Sequence, residues 1–166
     1  SITEVKFDRL TNSKYNKKAL FLDYDSTLRK TKSGAKFPTH PDDIEILPNR
    51  KEIIQKYVDQ GYILLGISNQ SGVNKGDLSE EVARDCFNRT NELLGFNIDY
   101  MFCPHQSWPV SCYCRKPHLG NFILLQQKHK IDFNKSIFVG DYKTDEQAAK
   151  AAGIKYLHEM EFFKWV

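Results

Sequence analysis

Short apolar segments alternate along the chain with segments whose apolar residues recur at helical spacing. Residues 49–60 show the helical spacing between a proline and a glycine, with apolar side chains at Ile53, Ile54, Tyr57 and Val58. The two periodicities predict strands at 18–25, 62–67, 98–102, 136–139 and 154–157, and helices at 49–60, 79–94, 118–130 and 145–152. Strands that alternate with helices indicate an α/β domain with a mainly parallel sheet.

Length and composition narrow the class of protein further. The 166 residues suit one domain over 1–166, and 40% hydrophobic with 27% charged residues exclude a disordered chain, a collagen-like repeat and a disulfide scaffold. No apolar run could span a membrane, and no secretion signal is recognisable. We therefore expect a cytoplasmic protein without a membrane partner. The net charge of +3 permits a polyanionic partner without requiring one.

Acidic residues follow the first predicted strand directly. Asp23 and Asp25 are two positions apart, so strand alternation would send both side chains to the same side, where they could share a metal ion. Two carboxylates at the end of an apolar strand are costly unless a cation or a reaction uses them. An isolated Asp-x-Asp also occurs in surface turns, and the pair alone does not decide between these alternatives.

Polar residues at three further positions complete a pattern. The second strand ends in Ser68-Asn69-Gln70-Ser71-Gly72, Arg115 and Lys116 precede a helix, and a strand at 136–139 leads to Asp141, with Asp145 four residues later. The carboxyl ends of parallel strands meet at one edge of a sheet. The sequence therefore predicts a site for a metal ion and a phosphate there, rather than four unrelated loops.

These motifs resemble those of the haloacid dehalogenase superfamily of phosphatases, over nearly the whole chain. The resemblance rests on Asp-x-Asp-x-Thr at 23–27, a strand-end Ser68, Lys116, and Gly-Asp-x-x-x-Asp at 140–145. It implies a Rossmann-like three-layer sandwich. The motifs SNQSG, CPH…CxCRKP and VGDxxxD look like the branch of heptose bisphosphate phosphatase and the histidinol-phosphate phosphatase domain. That branch usually has glycine at the position of Ser26, so we expect altered loop geometry there.

The resemblance also implies a role for each motif residue. Asp23 is the expected nucleophile, and Asp25 the expected acid and base. Mg²⁺ is expected between Asp23, the backbone carbonyl of Asp25 and Asp141, while Asp145 either helps to hold the metal or orients the lysine. Lys116 is the third expected catalytic residue. The expected contacts to phosphate or substrate are Thr27, Ser68, Asn69 and Arg115.

Three cysteines and a histidine form a second group within twelve residues. Cys103, His105, Cys112 and Cys114 offer four ligands without an obvious open position, which is typical of structural Zn²⁺, although the spacing is tighter than in common zinc fingers. The resembled heptose phosphatase branch carries zinc in this loop. The alternative is a surface loop with reduced cysteines. Zinc would fix the loop that presents the two cations at 115–116.

The substrate is the least determined feature. The segments 27–49 and 68–116 leave no room for a large cap domain, so we expect an open site bounded by the zinc-binding loop. A small phosphorylated metabolite, such as a sugar bisphosphate or histidinol phosphate, is slightly favoured. Residues 151–163 resemble instead the end of polynucleotide 3′-phosphatases, and Lys30, Lys32, Lys36 and Lys75 suit a nucleic-acid 3′ end. A non-catalytic binding domain, or one domain of a larger protein, is a further alternative.

Overall fold

The computed structural model of the chain describes residues 14–106 and 112–164. These residues contain the strands β1 (Ala19–Leu22), β2 (Arg29–Lys30), β3 (Glu45–Ile46), β4 (Ile63–Asn69), β5 (Asp99–Cys103), β6 (Ile137–Gly140) and β7 (Lys155–His158). They also contain the helices α1 (Arg50–Asp59), α2 (Ser71–Asn74), α3 (Glu80–Leu94), α4 (Gly120–His129), α5 (Lys143–Ala152) and α6 (Glu159–Phe162). The prediction of one domain over 1–166 also concerns residues 1–13, 107–111 and 165–166, which lie outside the described part.

The main sheet has the strand order β5-β4-β1-β6-β7, and all its neighbouring strands are parallel. This confirms the α/β fold with a mainly parallel sheet, and every predicted strand and helix has a counterpart. The first strand is shorter than predicted. It ends at Leu22 because the backbone turns at Tyr24, whose carbonyl accepts hydrogen bonds from the amides of Thr27 and Leu28 at 3.1 and 2.8 Å.

Helices cover both faces of the sheet, as the alternation along β1 requires. Leu20 and Leu22 point into a core that α1, α3 and α6 cover, whereas Ala19 and Phe21 point into a second core beneath α4 and α5. All four side chains are fully buried. A central parallel strand that is apolar on both faces is typical of a sheet between two helical layers. The arrangement is the three-layer sandwich that the resemblance implies.

Helix α3 begins and ends at recognisable capping residues. The Ser79 hydroxyl accepts a hydrogen bond from the Val82 amide at 3.1 Å, and Gly95 ends the helix in the left-handed conformation with φ 80°. The inward face of the helix includes Phe87 and Thr90, which are both fully buried. This face supports the residues that follow β1.

No large cap domain interrupts the described part of the chain. Between β1 and α1 lies only the small antiparallel pair β2 and β3, in which Arg29 opposes Ile46. Between β4 and Lys116 the described residues form α2, α3 and β5. None of the helices formed by residues 14–106 and 112–164 combines the length and the apolar character that crossing a membrane requires.

Candidate active site

The predicted site residues meet at the carboxyl edge of the sheet. Strand β1 lies between β4 and β6, so the segments that follow these three strands surround one cleft of about 260 Å³. Four carboxylates line it, namely Asp23, Asp25, Asp141 and Asp145. They are joined by Ser68, Asn69, Arg115 and Lys116. The sequence motifs thus come together as the strand order requires.

Lys116 is a buried cation between two of the carboxylates. Its Nζ lies 2.8 Å from Asp23 Oδ1 and 2.6 Å from Asp145 Oδ1, and its side chain is only 3% exposed. Burial alone would lower the Lys116 pKa, but the charges of Asp23 and Asp145 outweigh it and hold that pKa above its ordinary value. Lys116 is therefore a fixed positive charge at the base of the cleft.

The pKa of Asp23 lies well above its ordinary value of 3.8. Burial is the largest cause, and the neighbouring carboxylates of Asp145 and Asp141 act in the same direction. Lys116 opposes them by favouring the charged form. One lysine thus compensates only part of the negative charge that ionised carboxylates place here, and a further cation would stabilise the ionised form.

The donor set fits Mg²⁺ on its own chemistry. One carboxylate oxygen each from Asp23, Asp141 and Asp145 lies within 4.8 Å of the others. Asp145 Oδ1 is buried, and Lys116 Nζ lies 2.6 Å from it. Hard carboxylate oxygens are the ligands that Mg²⁺ prefers. These residues would therefore hold the ion, and it would neutralise charge at the base of the cleft.

The second oxygen of Asp145 holds the loop before α5. Asp145 Oδ2 accepts hydrogen bonds from the amides of Asp141 and Tyr142 at 3.2 and 3.1 Å. The preceding glycine is required by this approach, because a Cβ on Gly140 would lie 2.5 Å from Asp145 Oδ2. Both alternatives for Asp145, metal ligand and partner of the lysine, remain compatible with its position.

Asp25 does not share the carboxylate group with Asp23. Its Oδ1 accepts a hydrogen bond from Arg29 Nε at 2.8 Å, and its Oδ2 accepts one from Gln70 Nε2 at 2.7 Å. The expectation from strand alternation, that the side chains of Asp23 and Asp25 share one ion, is therefore wrong. The reason is the turn at Tyr24, which ends the strand before alternation applies. The prediction that the backbone carbonyl of Asp25 binds Mg²⁺ is not affected by this correction.

Two predicted contact residues hold other site residues. Thr27 is fully buried, and its Oγ1 donates a hydrogen bond to Asp23 Oδ2 at 3.1 Å. Asn69 is paired with the backbone of Lys116, since its Oδ1 accepts from the Lys116 amide at 2.9 Å and its Nδ2 donates to the Lys116 carbonyl at 3.3 Å. Thr27 lies behind Asp23 rather than on the cleft surface, whereas Asn69 lines the cleft and also holds the backbone of Lys116.

Ser26 has the left-handed conformation that glycine adopts most easily. Its φ is 67°, and its amide donates a hydrogen bond to the Arg29 carbonyl at 2.9 Å. The backbone thus follows the path that suits the glycine of the resembled branch. The serine side chain adds a hydroxyl to the cleft lining, and its left-handed backbone conformation is strained.

The cysteine and histidine ligands form a second group beside the cleft. One ligand atom from each of Cys103, His105, Cys112 and Cys114 lies within 4.8 Å of the others. Tetrahedral zinc with Zn–S bonds of about 2.3 Å places sulfur atoms about 3.8 Å apart. Cys112 Sγ lies 3.5 Å from Cys103 Sγ and 3.7 Å from Cys114 Sγ, whereas Cys103 and Cys114 are closer, at 2.8 Å. The donor set fits zinc.

This group is tied to the cleft by the backbone. Cys103 ends β5 beside Asn69 of β4, and Arg115 Nη1 donates a hydrogen bond to the His105 carbonyl at 3.3 Å. Against the effect of burial, hydrogen bonds from the Arg115 backbone and from the other members of the group lower the Cys112 pKa to about 7, whereas burial raises the pKa of Cys103 and that of Cys114. The thiolate is the form that binds a metal, so Cys112 is the thiol of the group that ionises most readily for this role.

Sequence reasoning missed four residues around the cleft. Tyr142 and Thr144 line it, and Tyr142 is 68% exposed. Gln70 and Arg29 hold Asp25. Gln70 stands inside the SNQSG motif, which was the available signal, but nothing in the sequence pairs Arg29 with a carboxylate. Conversely, none of the four lysines proposed for nucleic-acid contact is among the residues described as lining the cleft.

The sequence is similar to those of known phosphatases. The sequence profile of the family described as polynucleotide kinase 3 phosphatase matches residues 18–163. A probable D-glycero-D-manno-heptose-1,7-bisphosphate 7-phosphatase of Thermoplasma volcanium is 34% identical, over 75% of this chain and 85% of that protein. The D-glycero-beta-D-manno-heptose-1,7-bisphosphate 7-phosphatase of Haemophilus ducreyi is 31% identical, over 84% and 80%.

Solved structures show the same similarity. A putative haloacid dehalogenase-like phosphatase of Mesorhizobium loti has a TM-score of 0.75 and 28% identity, over 84% of this chain and 70% of that one. The D,D-heptose 1,7-bisphosphate phosphatase of B. bronchiseptica, solved with magnesium and phosphate, has a TM-score of 0.72 and 25% identity, over 85% and 79%. The chain is therefore a phosphatase of the haloacid dehalogenase superfamily and belongs to the family that the polynucleotide kinase 3 phosphatase profile describes, with heptose-1,7-bisphosphate 7-phosphatases as its relatives.

Proposed function

We propose that the chain is a Mg²⁺-dependent phosphomonoester hydrolase that acts on a sugar bisphosphate through an aspartyl-phosphate intermediate. The observation that carries this proposal is the cluster of Asp23, Lys116, Asp141 and Asp145 at the base of an open cleft. A nucleophilic carboxylate beside a buried cation can receive a phosphoryl group, whereas two uncompensated anions would repel each other. Mg²⁺, when bound, supplies the remaining positive charge.

The chain's own residues divide the reaction into two steps. A carboxylate oxygen of Asp23 attacks phosphorus, the bond from phosphorus to the sugar oxygen breaks, and protonated Asp25 gives its proton to that oxygen. Water then attacks the phosphorus of the aspartyl-phosphate, loses a proton to Asp25 and releases phosphate, which restores the Asp23 carboxylate. Lys116 stays charged throughout and stabilises the negative charge of the transferring group.

Several residues orient these groups without reacting. Thr27 donates a hydrogen bond to Asp23 and so restricts the rotation of the nucleophile. Asn69 holds the backbone of Lys116 on both sides. Ser68 lines the cleft and is 2% exposed, so its hydroxyl serves a phosphoryl oxygen at the base rather than a distant part of the substrate.

The rim of the cleft favours a sugar bisphosphate as the substrate. Arg115 supplies a guanidinium for a second phosphate, and Tyr142 supplies an exposed aromatic face for a sugar ring. The names of the relatives support the same class, because one relative cited above is named as a heptose-1,7-bisphosphate 7-phosphatase and the other as a probable one. Histidinol phosphate and a nucleic-acid 3′-phosphate remain alternatives that the same assay compares.

We further propose that Cys103, His105, Cys112 and Cys114 hold structural zinc. The support is the compact donor set and its position between β5 and the segment that carries Arg115 and Lys116. Zinc at this position would keep both cations at the rim and base of the cleft without taking part in phosphoryl transfer.

The deciding experiment measures phosphate release with and without Mg²⁺. The substrates are heptose-1,7-bisphosphate, histidinol phosphate and an oligonucleotide with a 3′-phosphate, and Asp23→Asn is the blank. We expect Mg²⁺-dependent release with the bisphosphate preferred. Preference for the oligonucleotide or for histidinol phosphate would replace the substrate class. Release by Asp23→Asn at the rate of the unmodified protein would refute the mechanism, and release from none would favour a binding domain.

A further inference from the structure

We propose that Arg29 is a positioning residue for Asp25, which fixes its carboxyl group for proton transfer to the leaving oxygen. This inference rests on the proposed hydrolase function, in which Asp25 is the acid. Arg29 lies on β2, outside the four motifs, and its side chain is 1% exposed. Its Nε donates a hydrogen bond to Asp25 Oδ1 at 2.8 Å.

The guanidinium is anchored on the side away from Asp25. Its Nη1 donates hydrogen bonds to the Cys86 carbonyl at 3.0 Å and to Thr90 Oγ1 at 2.8 Å, both on α3. Its carbon also lies 4.8 Å from the centre of the Phe87 ring. The planar group is thus held by the helix, so it offers Asp25 a donor in a fixed place and direction.

Stability alone gives little reason for a buried arginine here. Taking a guanidinium and a carboxylate out of water is expensive, and an apolar side chain of similar size is often equally stable. The effect of an arginine here is instead to orient its partner, Asp25. Asp25 is 22% exposed and lines the cleft, so the orientation that Arg29 imposes is an orientation toward the substrate.

The other oxygen of the same carboxyl group is also held. Gln70 Nε2 donates to Asp25 Oδ2 at 2.7 Å and lies 2.9 Å from Ser68 Oγ. One donor would leave the carboxyl group free to turn about its bond to Cβ, but two donors on opposite oxygens define its plane. Arg29 and Gln70 therefore act as a pair, one from the helix α3 side and one from the end of β4.

This role predicts a defect that depends on the leaving group. A sugar hydroxyl is a poor leaving group and needs the proton of Asp25 as the bond to phosphorus breaks, whereas 4-nitrophenolate leaves without one. Loss of the Asp25 orientation should therefore slow the formation of the aspartyl-phosphate selectively for the sugar phosphate. A misplacement of about 1 Å is enough for a loss of about 10²-fold.

The test compares Arg29→Met and Arg29→Lys with the unmodified protein on two substrates, heptose-1,7-bisphosphate and 4-nitrophenyl phosphate. Both are assayed with saturating Mg²⁺, and kcat and KM are determined separately. We expect Arg29→Met to lower kcat/KM for the sugar phosphate by about 10²-fold and to leave kcat/KM for 4-nitrophenyl phosphate nearly unchanged, because this ratio reports only the step that forms the aspartyl-phosphate. The value of kcat can fall for both substrates, because Asp25 is also the base of the second step that they share. Arg29→Lys should restore part of the rate, because it keeps a cation but not the planar donor.

Arg84→Met is the matched control, on the helix α3 that anchors Arg29. Arg84 is 55% exposed, and its guanidinium pairs with Glu80 at 3.6 Å and lies 5.5 Å from the Phe102 ring, outside the proposed machinery. Gln70→Met removes the second donor and keeps the test valid if Arg29→Met does not fold. It should give the same selective loss on the sugar phosphate.

Three results would overturn the inference. The first is an equal loss of kcat/KM on both substrates by a folded Arg29→Met or Gln70→Met protein, which would make the residues structural. The second is full activity of these variants on the sugar phosphate. The third is absence of Mg²⁺-dependent hydrolysis in the unmodified protein, or full activity of Asp23→Asn, which would refute the proposed function as well.

Discussion

Replacing Lys116 by methionine should destabilise the metal-free protein strongly. The substitution keeps the length of the side chain but removes the cation that lies 2.8 Å from Asp23 and 2.6 Å from Asp145. Lys116 is 3% exposed, and the two carboxylates are 9% and 1% exposed, so little water replaces the lost charge. Removing one partner of a buried ion pair costs about 3–5 kcal/mol. In a domain of this size that is a fall in Tm of about 6–20 °C.

Magnesium should reverse part of this loss. An ion that binds only the folded protein stabilises it by about 2.7 kcal/mol when its concentration is 100 times its Kd. Without Lys116 the cluster of Asp23, Asp141 and Asp145 has lost its buried counter-charge. The variant should therefore gain more from Mg²⁺ than the unmodified protein does. This readout is independent of activity, because it uses thermal unfolding alone.

The loss of stability caused by Lys116→Met should also increase as the pH rises. The folded pKa of Asp23 lies above its ordinary value of 3.8, chiefly because the group is buried. A raised carboxyl pKa means that the folded state binds the proton more tightly. The stability that this proton gives is present below the unfolded pKa and is lost as pH rises through the folded one. Lys116 lowers the pKa of Asp23, so its removal raises that pKa further and extends the loss to higher pH.

The assay is thermal unfolding by circular dichroism at pH 5 and pH 7.5, with EDTA or with Mg²⁺. Lys128→Met is the control, since Lys128 is 63% exposed and lies 2.8 Å from Asp99 at the surface, where an ion pair contributes about 0–1 kcal/mol. Equal Tm values for Lys116→Met and the unmodified protein in EDTA at pH 7.5 would refute the reasoning. So would a larger Mg²⁺ effect in the control than in the variant.

Three further changes test other parts of the structure. Ser26→Gly should raise the free energy of unfolding in urea by about 1 kcal/mol, because φ is 67°, while Ser26→Ala should not, and equal effects would contradict backbone strain. Glu159→Gln should lower that free energy by about 2 kcal/mol, because it removes the charge that partners buried Arg50 at 2.5 Å, and an unchanged value would mean that the pair contributes nothing. Elemental analysis should find one zinc per chain in the unmodified protein and in Cys86→Ala, and none in Cys112→Ser. Zinc retained by Cys112→Ser would show that Cys112 is not a ligand.

The sequence was sufficient for the fold and for the meeting of the motif residues in one cleft, because both follow from local patterns. An apolar run with strand propensity, such as β1, and a helix with caps at Ser79 and Gly95 are defined within a few residues. Parallel order then brings the ends of β1, β4 and β6 to one edge. The motif residues that follow these strands consequently had to meet, and they do.

The groups that orient the reacting residues could not be predicted in the same way, because their partners are distant along the chain. Nothing in the sequence distinguishes Arg29 from other basic residues. Only the fold places it under α3, where its guanidinium donates a hydrogen bond to Thr90, 61 positions away. The turn at Tyr24 is equally non-local, since its ring packs on Phe87 and its hydroxyl donates to Asn91 at 2.7 Å. That turn is what separates the side chain of Asp25 from that of Asp23.

The same separation explains how two neighbouring aspartates can serve different steps. Asp23 lies among carboxylates and beside Lys116, in a position suited to bind a cation and attack phosphorus. Asp25 is withdrawn from that group, is held by Arg29 and Gln70, and lines the cleft. If strand alternation had continued, both carboxylates would face one ion and neither would be free to carry a proton. The division of labour that we propose therefore depends on the turn and on Arg29, and the Arg29 variants test that dependence directly.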